Sequence, residues 1–373
     1  MDPLGLVLFA FDGTGNDKTD PQTLSNVVRF SDAYIDGDAK VYYITGPGTL
    51  DPDTGIENPL YKGGNGLDSG FSYTGLERVT AMEKYLLDYI RSVDDSEMID
   101  IDIIGFSRGA AQAREFANRI MASYSNGYYK YEDDDGNTLC QKMNLRFMGL
   151  FDTVLSTHTG SYTLSIPAEF AYVAHAVALN EHRGDTVRLT MPGSVGAFPL
   201  ESIIGSPASG GTRIEKGFIG AHSDIGGGFA DGDLAKVALA WMVGQAEAAG
   251  VKMDSGKLPT TIAANPVIHD KTTNQHEIEL NGRPNPNHWL STFEDRKVRY
   301  MDGSTTTQIE MTGTGMTTAD TYPFINYDPS TQNPEGGPMR LPGPDYRTGT
   351  VDMAGYLQWL NNNGYGINLS VSP

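Results

Sequence analysis

MIDIDIIGFSRGAAQAREFANRI, residues 98–120, is the stretch whose reading decides the fold. An apolar, β-branched run ends at Ile104. Gly105, Phe106, Ser107, Arg108 and Gly109 follow, and an alanine-rich, helix-favouring segment begins at Ala110. Strand, sharp turn and helix, with a serine at the apex, make a nucleophile elbow. Gly105 lets the chain turn tightly and Gly109 lets the helix pack close to the strand. Ser107 then sits in a strained backbone with its hydroxyl clear of the sheet. The N–H of Arg108, at the helix start, can face a developing oxyanion. The competing reading is a plain strand–helix turn whose serine only caps the helix.

Working outward, the fold class expected is α/β: an α/β-hydrolase, with a mostly parallel central sheet flanked by helices. Leu6 to Phe11 is a short, continuous apolar run suited to a buried parallel strand. It ends in the Gly/Asx-rich loop Asp12-Gly13-Thr14-Gly15-Asn16-Asp17. Val27 to Ile35 is expected to be helical and Val41 to Ile44 a strand. Tyr73 to Arg91 is an amphipathic helix, with Leu76, Val79, Met82, Leu86 and Ile90 on one side. Leu145 to Phe151 is the next strand, and Pro167 to His182 is read as a helix. Val187 to Thr190 is a short strand, Ile214 to Ala221 the last clear one, and Asp233 to Ala249 a strong helix.

This order predicts a catalytic core over residues 1–250, with insertions near 46–72 and 123–142. The second insertion, carrying Tyr128, Tyr129 and Tyr131 beside an acidic run, is expected to be an exposed hairpin or loop. Residues 251–373 hold many Thr, Asn, Gly and Pro, and only Met353 to Leu360 looks helical. This part is read as an irregular cap or partner-binding region packed on the core.

An activated serine needs a base, and the base needs a group to orient it. In an α/β-hydrolase these partners follow later strands, in the order serine, acid, histidine. Asp152 comes directly after the strand ending at Phe151, and His222 directly after the strand ending at Ala221. Both lie on the sheet edge that carries Ser107. Asp224 competes with Asp152 as the acid, or else organises the loop near the site. His158, His175, His182, His269 and His276 are expected at the surface or in packing roles, and His288 is the reserve base. Two readings of the first loop stand. Gly13 and Thr14 supply a second oxyanion donor beside Arg108, or they belong to an Asx turn that ends the strand, shaped by Asp12.

The net charge of −20 argues against nucleic acid as a partner. Cys140 is the only cysteine, so no intrachain disulfide framework exists. Asp51, Asp53 and Glu57 could bind calcium, but they lack the spacing of a calcium loop. Solvation is preferred for them, and no cofactor is expected to be required. Met1 to Phe11 has no positive region, so no signal peptide is expected. Nor does any window reach ~18 uninterrupted apolar residues, the length of a transmembrane helix. On this reading, export would need another machine.

FDGTGND after the first strand, GFSRGAAQAR at the elbow, LFDTV after the next strand, and GFIGAHSDIGGG followed by LAWM resemble one family in matching order. This is the α/β-hydrolase family of type VI secretion lipase effectors, and the resemblance spans about Leu6 to Gly250. It implies phospholipase A activity on glycerophospholipids at a membrane surface, by an antibacterial toxin acting in the victim's periplasm. It also implies a partner in the secretion apparatus and an immunity protein. Position by position, the family nucleophile falls on Ser107, its acid on Asp152 and its base on His222. Such effectors are often longer, so the chain is a compact member or a relative with another ester substrate. Two further readings are a carboxylesterase or thioesterase for soluble acyl compounds, and a non-catalytic binding module of a secretion assembly.

Overall fold

A computed structural model describes residues 5–35, 39–57, 74–94, 96–133, 135–155, 162–181, 198–270, 296–328 and 347–372. The expected strand at Val187 to Thr190, the residues 58–73 of the first insertion, and His158, His182, His276 and His288 lie outside them.

A central sheet is built from β1 (Gly5–Phe11), β2 (Lys40–Ile44), β3 (Met98–Phe106), β6 (Thr138–Phe151), β7 (Tyr172–Ala178) and β9 (Thr212–Phe218). These strands are all parallel, in the order β2-β1-β3-β6-β7-β9. β4 (Tyr124–Ser125) and β5 (Tyr128–Glu132) form an antiparallel hairpin on the N-terminal half of β6. The second insertion therefore extends the sheet and is not a loose loop.

Alternate residues of β1 face opposite layers. Val7, Phe9 and Phe11 pack with Val79, Met82 and Leu86 of α2 (Gly75–Ile90) and Phe116 and Ile120 of α3 (Arg108–Met121). Leu8 and Ala10 face the other layer, with Val27 and Phe30 of α1 (Asn26–Ala33). The same layer holds α4 (His222–Gly226) and α5 (Ala235–Ala248), the latter through Leu239, Trp241 and Met242. No helix among the described residues is long and apolar enough to cross a membrane.

The segment read as a helix, Pro167 to His182, is instead strand β7. Its sequence YVAHAVA is buried over Val173 to Ala178 because β6 and β9 flank it, the α4–α5 layer covers Ala174, Ala176 and Ala178, and Val177 on the other face packs with Leu200 and Val298. A strand buried on both faces loses the alternation that marks a half-exposed one, and Phe170, Val173, Ala174 and Val177 then recur at helical spacing. The last strand ends at Phe218, not Ala221.

Among its described residues, the C-terminal part holds more regular elements than its composition suggested. It contributes β10 (Thr261–Ala263) and β11 (Val267–Asp270), then β12 (Lys297–Arg299) and β13 (Thr305–Thr307). The one-turn α6 (Thr318–Thr321), β14 (Ile325–Tyr327), β15 (Arg347–Val351), α7 (Met353–Asn362) and β16 (Ser370–Ser372) complete it. The strand β12 runs parallel to β8 (Leu200–Glu201). Tyr356, Leu360 and Tyr365 enter the same hydrophobic cluster as Trp241. The hydroxyl of Tyr356 accepts the Ile219 amide at 3.0 Å, three residues before His222.

Candidate active site

The carboxyl ends of parallel strands in an open α/β sheet are where ligands and catalytic groups gather. Here β1 delivers Asp12, Gly13 and Thr14, β3 delivers Ser107, and β6 delivers Asp152. His222 lies four residues beyond β9, at the start of α4.

Ser107 has φ 59° and ψ −128°, a backbone conformation that a side-chain-bearing residue adopts only under strain. The surroundings hold it there. Its N–H donates to the Phe151 carbonyl at 2.9 Å, and its own carbonyl accepts the amides of Ala110 and Val154. The two glycines of the elbow permit close approach. A Cβ on Gly109 would lie 2.3 Å from the Asp12 carbonyl oxygen, and one on Gly105 would lie 2.7 Å from the Ala110 Cα. Gly109 therefore lets α3 press on the end of β1, while Gly105 lets α3 fold back over its own strand.

His222 bridges the other two groups. Its Nε2 is 2.7 Å from Ser107 Oγ and its Nδ1 is 2.6 Å from Asp152 Oδ2. The ring lies between Phe106, at 4.6 Å between centroids, and Phe198, edge-on at 4.8 Å. Exposure is small: 3% for Ser107, 6% for His222 and none for Asp152. The structure thus brings together the three residues expected to act as one unit.

Asp152 is itself in a strained conformation, with φ 39°. Its Oδ1 accepts the Ala178 amide at 3.0 Å, and its two oxygens accept from Arg296, at 3.1 and 2.8 Å. Burial pushes this carboxyl up, but the Arg296 charge and the His222 hydrogen bond outweigh it and hold it down at about 2. The adjoining Thr153 amide donates to His175 Nε2 at 3.0 Å, and His175 Nδ1 meets Glu215 Oε2 at 2.8 Å.

The helix that carries His222 is tied down from two sides. Asn26 Nδ2 donates to the carbonyls of Ile225 and Ala235. Asp224 Oδ2 accepts the amides of Ala221 and His269, both at 3.0 Å, and its Oδ1 meets His269 Nδ1 at 2.8 Å. Asp224 is therefore committed to its loop and to β11, not to His222.

The loop after β1 is compact. Asp12 Oδ1 accepts its neighbour Gly13's N–H at 2.7 Å, and its Oδ2 accepts the Tyr43 hydroxyl at 2.6 Å. Burial, only partly offset by these bonds, pushes the Asp12 carboxyl up to about 6. A Cβ on Gly46 would lie 1.6 Å from the Gly13 carbonyl oxygen, so that loop leans directly on the backbone of Gly46. Of the two amides expected to serve an oxyanion, Gly13's is already engaged. Thr14 keeps a buried hydroxyl, Oγ1, with no hydrogen-bond partner among the described residues. Arg108 opens α3, where first-turn amides point outward along the helix axis toward an anion.

Of the residues considered for calcium, Asp51 is committed within its own loop. Asp51 spends its oxygens on the Thr45 amide and on the amide and hydroxyl of Thr54. No group of three or more potential metal ligands occurs among the described residues.

Sequence reasoning missed Arg296, which sits among charged residues (EDRKVR) with no spacing signal. It also left His175 among the packing histidines. A histidine in the middle of an apolar run was the available clue, since a buried imidazole demands partners.

Comparison with known proteins finds one matching family model. The family model described as "T6SS, Phospholipase effector Tle1-like, catalytic domain" matches residues 6–124 and 123–245, more than half of the chain. No curated protein matches. Among solved structures, a crystal structure of an uncharacterized protein from Pseudomonas aeruginosa matches at 22% identity and TM-score 0.43. It covers 67% of this chain and 46% of that one. The structure of the Tle1 effector bound to the VgrG spike from the type 6 secretion system matches at 21% identity and TM-score 0.39. It covers 61% of this chain and 52% of that one. The chain thus spans about half the length of these solved chains.

Proposed function

The chain belongs to the Tle1-like family of type VI secretion phospholipase effectors, and on that premise we propose that it is a serine-dependent phospholipase of the A type. It cleaves acyl esters of glycerophospholipids, with Ser107, His222 and Asp152 as a catalytic triad. The observation that carries this reading is the hydrogen-bonded chain from Ser107 Oγ through His222 to Asp152, at 2.7 and 2.6 Å.

In the proposed reaction His222 Nε2 takes the Ser107 proton as Oγ attacks the ester carbonyl carbon. Asp152 holds the imidazolium that forms. The Arg108 amide and the Gly13–Thr14 loop stabilise the oxyanion, with Thr14 the better-placed donor because Gly13 is engaged by Asp12. His222 then returns its proton to the leaving lysophospholipid oxygen. A water, deprotonated by the same imidazole, attacks the acyl-enzyme carbonyl; the Oγ–acyl bond breaks, the imidazolium returns the proton to Ser107 Oγ, and the fatty acid leaves. None of these steps calls for a metal ion.

The proposed setting follows from the family: synthesis in a bacterial cytoplasm, delivery to a target cell's periplasm, a secretion-apparatus component as carrier, and an immunity protein protecting the producer. The net charge of −20 is consistent with the absence of a nucleic-acid partner.

The deciding experiment incubates wild type and Ser107→Ala with phospholipid vesicles and identifies the lipid products, with and without calcium. Free fatty acid and lysophospholipid from wild type alone are expected. Undiminished cleavage by Ser107→Ala overturns the mechanism. Cleavage of short soluble esters without any lysophospholipid would instead favour a soluble acyl ester as substrate.

A further inference from the structure

Three observations converge on Arg296. The first is burial: its side chain has no solvent exposure. A buried guanidinium survives only where its charge and donors are fully engaged. The second is its bonding. Nη1 and Nη2 donate to Oδ1 and Oδ2 of Asp152 at 3.1 and 2.8 Å, and Nε donates to the Phe198 carbonyl at 2.7 Å. Phe198 is the ring set edge-on against His222. One side chain thus holds both the acid and the aromatic wall of the base.

The third is anchorage. Arg296 directly precedes β12, which pairs with β8, and its carbonyl accepts the Gln308 amide at 2.8 Å. In turn the Glu201 amide of β8 donates to the Thr153 carbonyl at 2.9 Å. The backbone that presents Arg296 is therefore hydrogen-bonded, through one short strand, to the peptide following Asp152.

The geometry points to Arg296 as a positioning residue of the site: its guanidinium clamps the Asp152 carboxylate in a strained backbone and weakens His222 as a base by sharing the charge that would stabilise the imidazolium. This inference rests on Ser107, His222 and Asp152 acting as the triad. It goes beyond the family match, which ends at residue 245.

The charge logic is direct. In an isolated acid–imidazole pair the whole carboxylate charge favours protonation of the ring. Here Oδ2 is shared between His222 Nδ1 and Arg296 Nη2. The fixed positive charge opposes a second one on the ring. Two other charged groups near His222 among the described residues do not replace this effect. Glu181, beyond β7, accepts the His222 backbone amide at 3.3 Å. Asp224, on the same helix, is turned to His269. The consequence is a ring that stays neutral, and able to take the serine proton, to lower pH than an unclamped pair would allow.

The test needs no knowledge of the lipid. The rate at which a fluorophosphonate inactivates the full-length protein is measured against pH for wild type, Ser107→Ala, Arg296→Met and Arg296→Lys, with the unfolding midpoint of each. Labelling of wild type and none of Ser107→Ala establishes the nucleophile, and equal labelling of both would refute the triad reading itself. In folded Arg296→Met the acid limb should move up by roughly one pH unit, so that inactivation on that limb is roughly tenfold slower. An unmoved limb overturns the inference. Arg296→Lys keeps a charge but loses the two-pronged grip. It should keep the limb near the wild-type position while its plateau rate falls several-fold. If Arg296→Met does not fold, Arg296→Lys decides, and a wild-type plateau and limb in that variant overturns the inference.

Discussion

The Thr153 amide donates to Nε2 of His175 at 3.0 Å, so that ring nitrogen carries no proton. The other ring nitrogen, Nδ1, faces Glu215, whose carboxylate also accepts the Ser202 hydroxyl and the Ile203 amide. This fully buried network sits directly behind the proposed catalytic acid. Replacing His175 by Leu orphans the Thr153 amide and removes one donor from Glu215. A loss of stability of about 1–3 kcal/mol is expected for the orphaned amide alone. Urea unfolding of wild type and His175→Leu measures it, and an unchanged midpoint would contradict the role assigned to this ring.

The proposed triad should behave as a unit. Ser107→Ala and His222→Ala should each lower turnover by on the order of 10³ or more, and the double variant should be no worse than either single one. Fatty-acid release from phospholipid vesicles measures all three. Losses that multiply in the double variant would show two independent contributions instead of one relay.

Asp12 and Asp152, both buried, predict opposite dependences of stability on pH. Asp12 is pushed up to about 6 when folded, so its favourable neutral form is present at low pH. Its contribution is lost as pH rises from about 4 through 6, on the order of 2–3 kcal/mol if the shift is realised in full. Asp152 is held at about 2, so its contribution is present at neutral pH and is lost as pH falls from about 4 to 2. Unfolding free energies of wild type and Asp12→Asn between pH 4 and 7 test the first. The wild type should lose stability across that window, and the variant should lose distinctly less.

Glycine substitutions should separate contact from propensity. In Gly109→Ala the added carbon would meet the Asp12 and Phe11 carbonyl oxygens at 2.3 and 2.4 Å. This variant must push α3 away from β1, disturbing the elbow, and should lose both stability and esterase activity. At Gly244, inside α5, an added carbon meets nothing within 4 Å. Gly244→Ala should stabilise the protein by about 0.5–1 kcal/mol with activity intact. Thermal melts and an ester assay on the pair suffice.

Chelation should leave activity unchanged, because the loop's own donors occupy the carboxylate of Asp51. Esterase rates before and after treatment with a calcium chelator check this, and a loss restored by calcium would be the contrary result.

The legible parts of this chain are those where local chemistry and tertiary role coincide. β1, β3 and the end of β6 are apolar runs followed by Gly, Ser or Asp, and those runs become the buried strands whose ends carry the site. β7 reads as a helix because Phe170, Val173, Ala174 and Val177 recur at helical spacing, whereas flanking by β6 and β9 imposes a strand. His222 was read as adjoining its strand, yet Ile219, Gly220 and Ala221 intervene, and Gly220 has φ +124°. Arg296 was illegible for a different reason. Its partner lies 144 residues earlier in the chain, and no local pattern encodes a contact over that distance.

The hydrogen bond from Ile219 to Tyr356 and the grip of Arg296 on Asp152 carry a practical consequence. The family match ends at residue 245, but the packing around the proposed site does not stop there. Excising the recognisable portion would uncover the Trp241 cluster and strip a counter-charge from an interior carboxylate. Such a fragment should be sticky and catalytically poor even with Ser107, Asp152 and His222 all present.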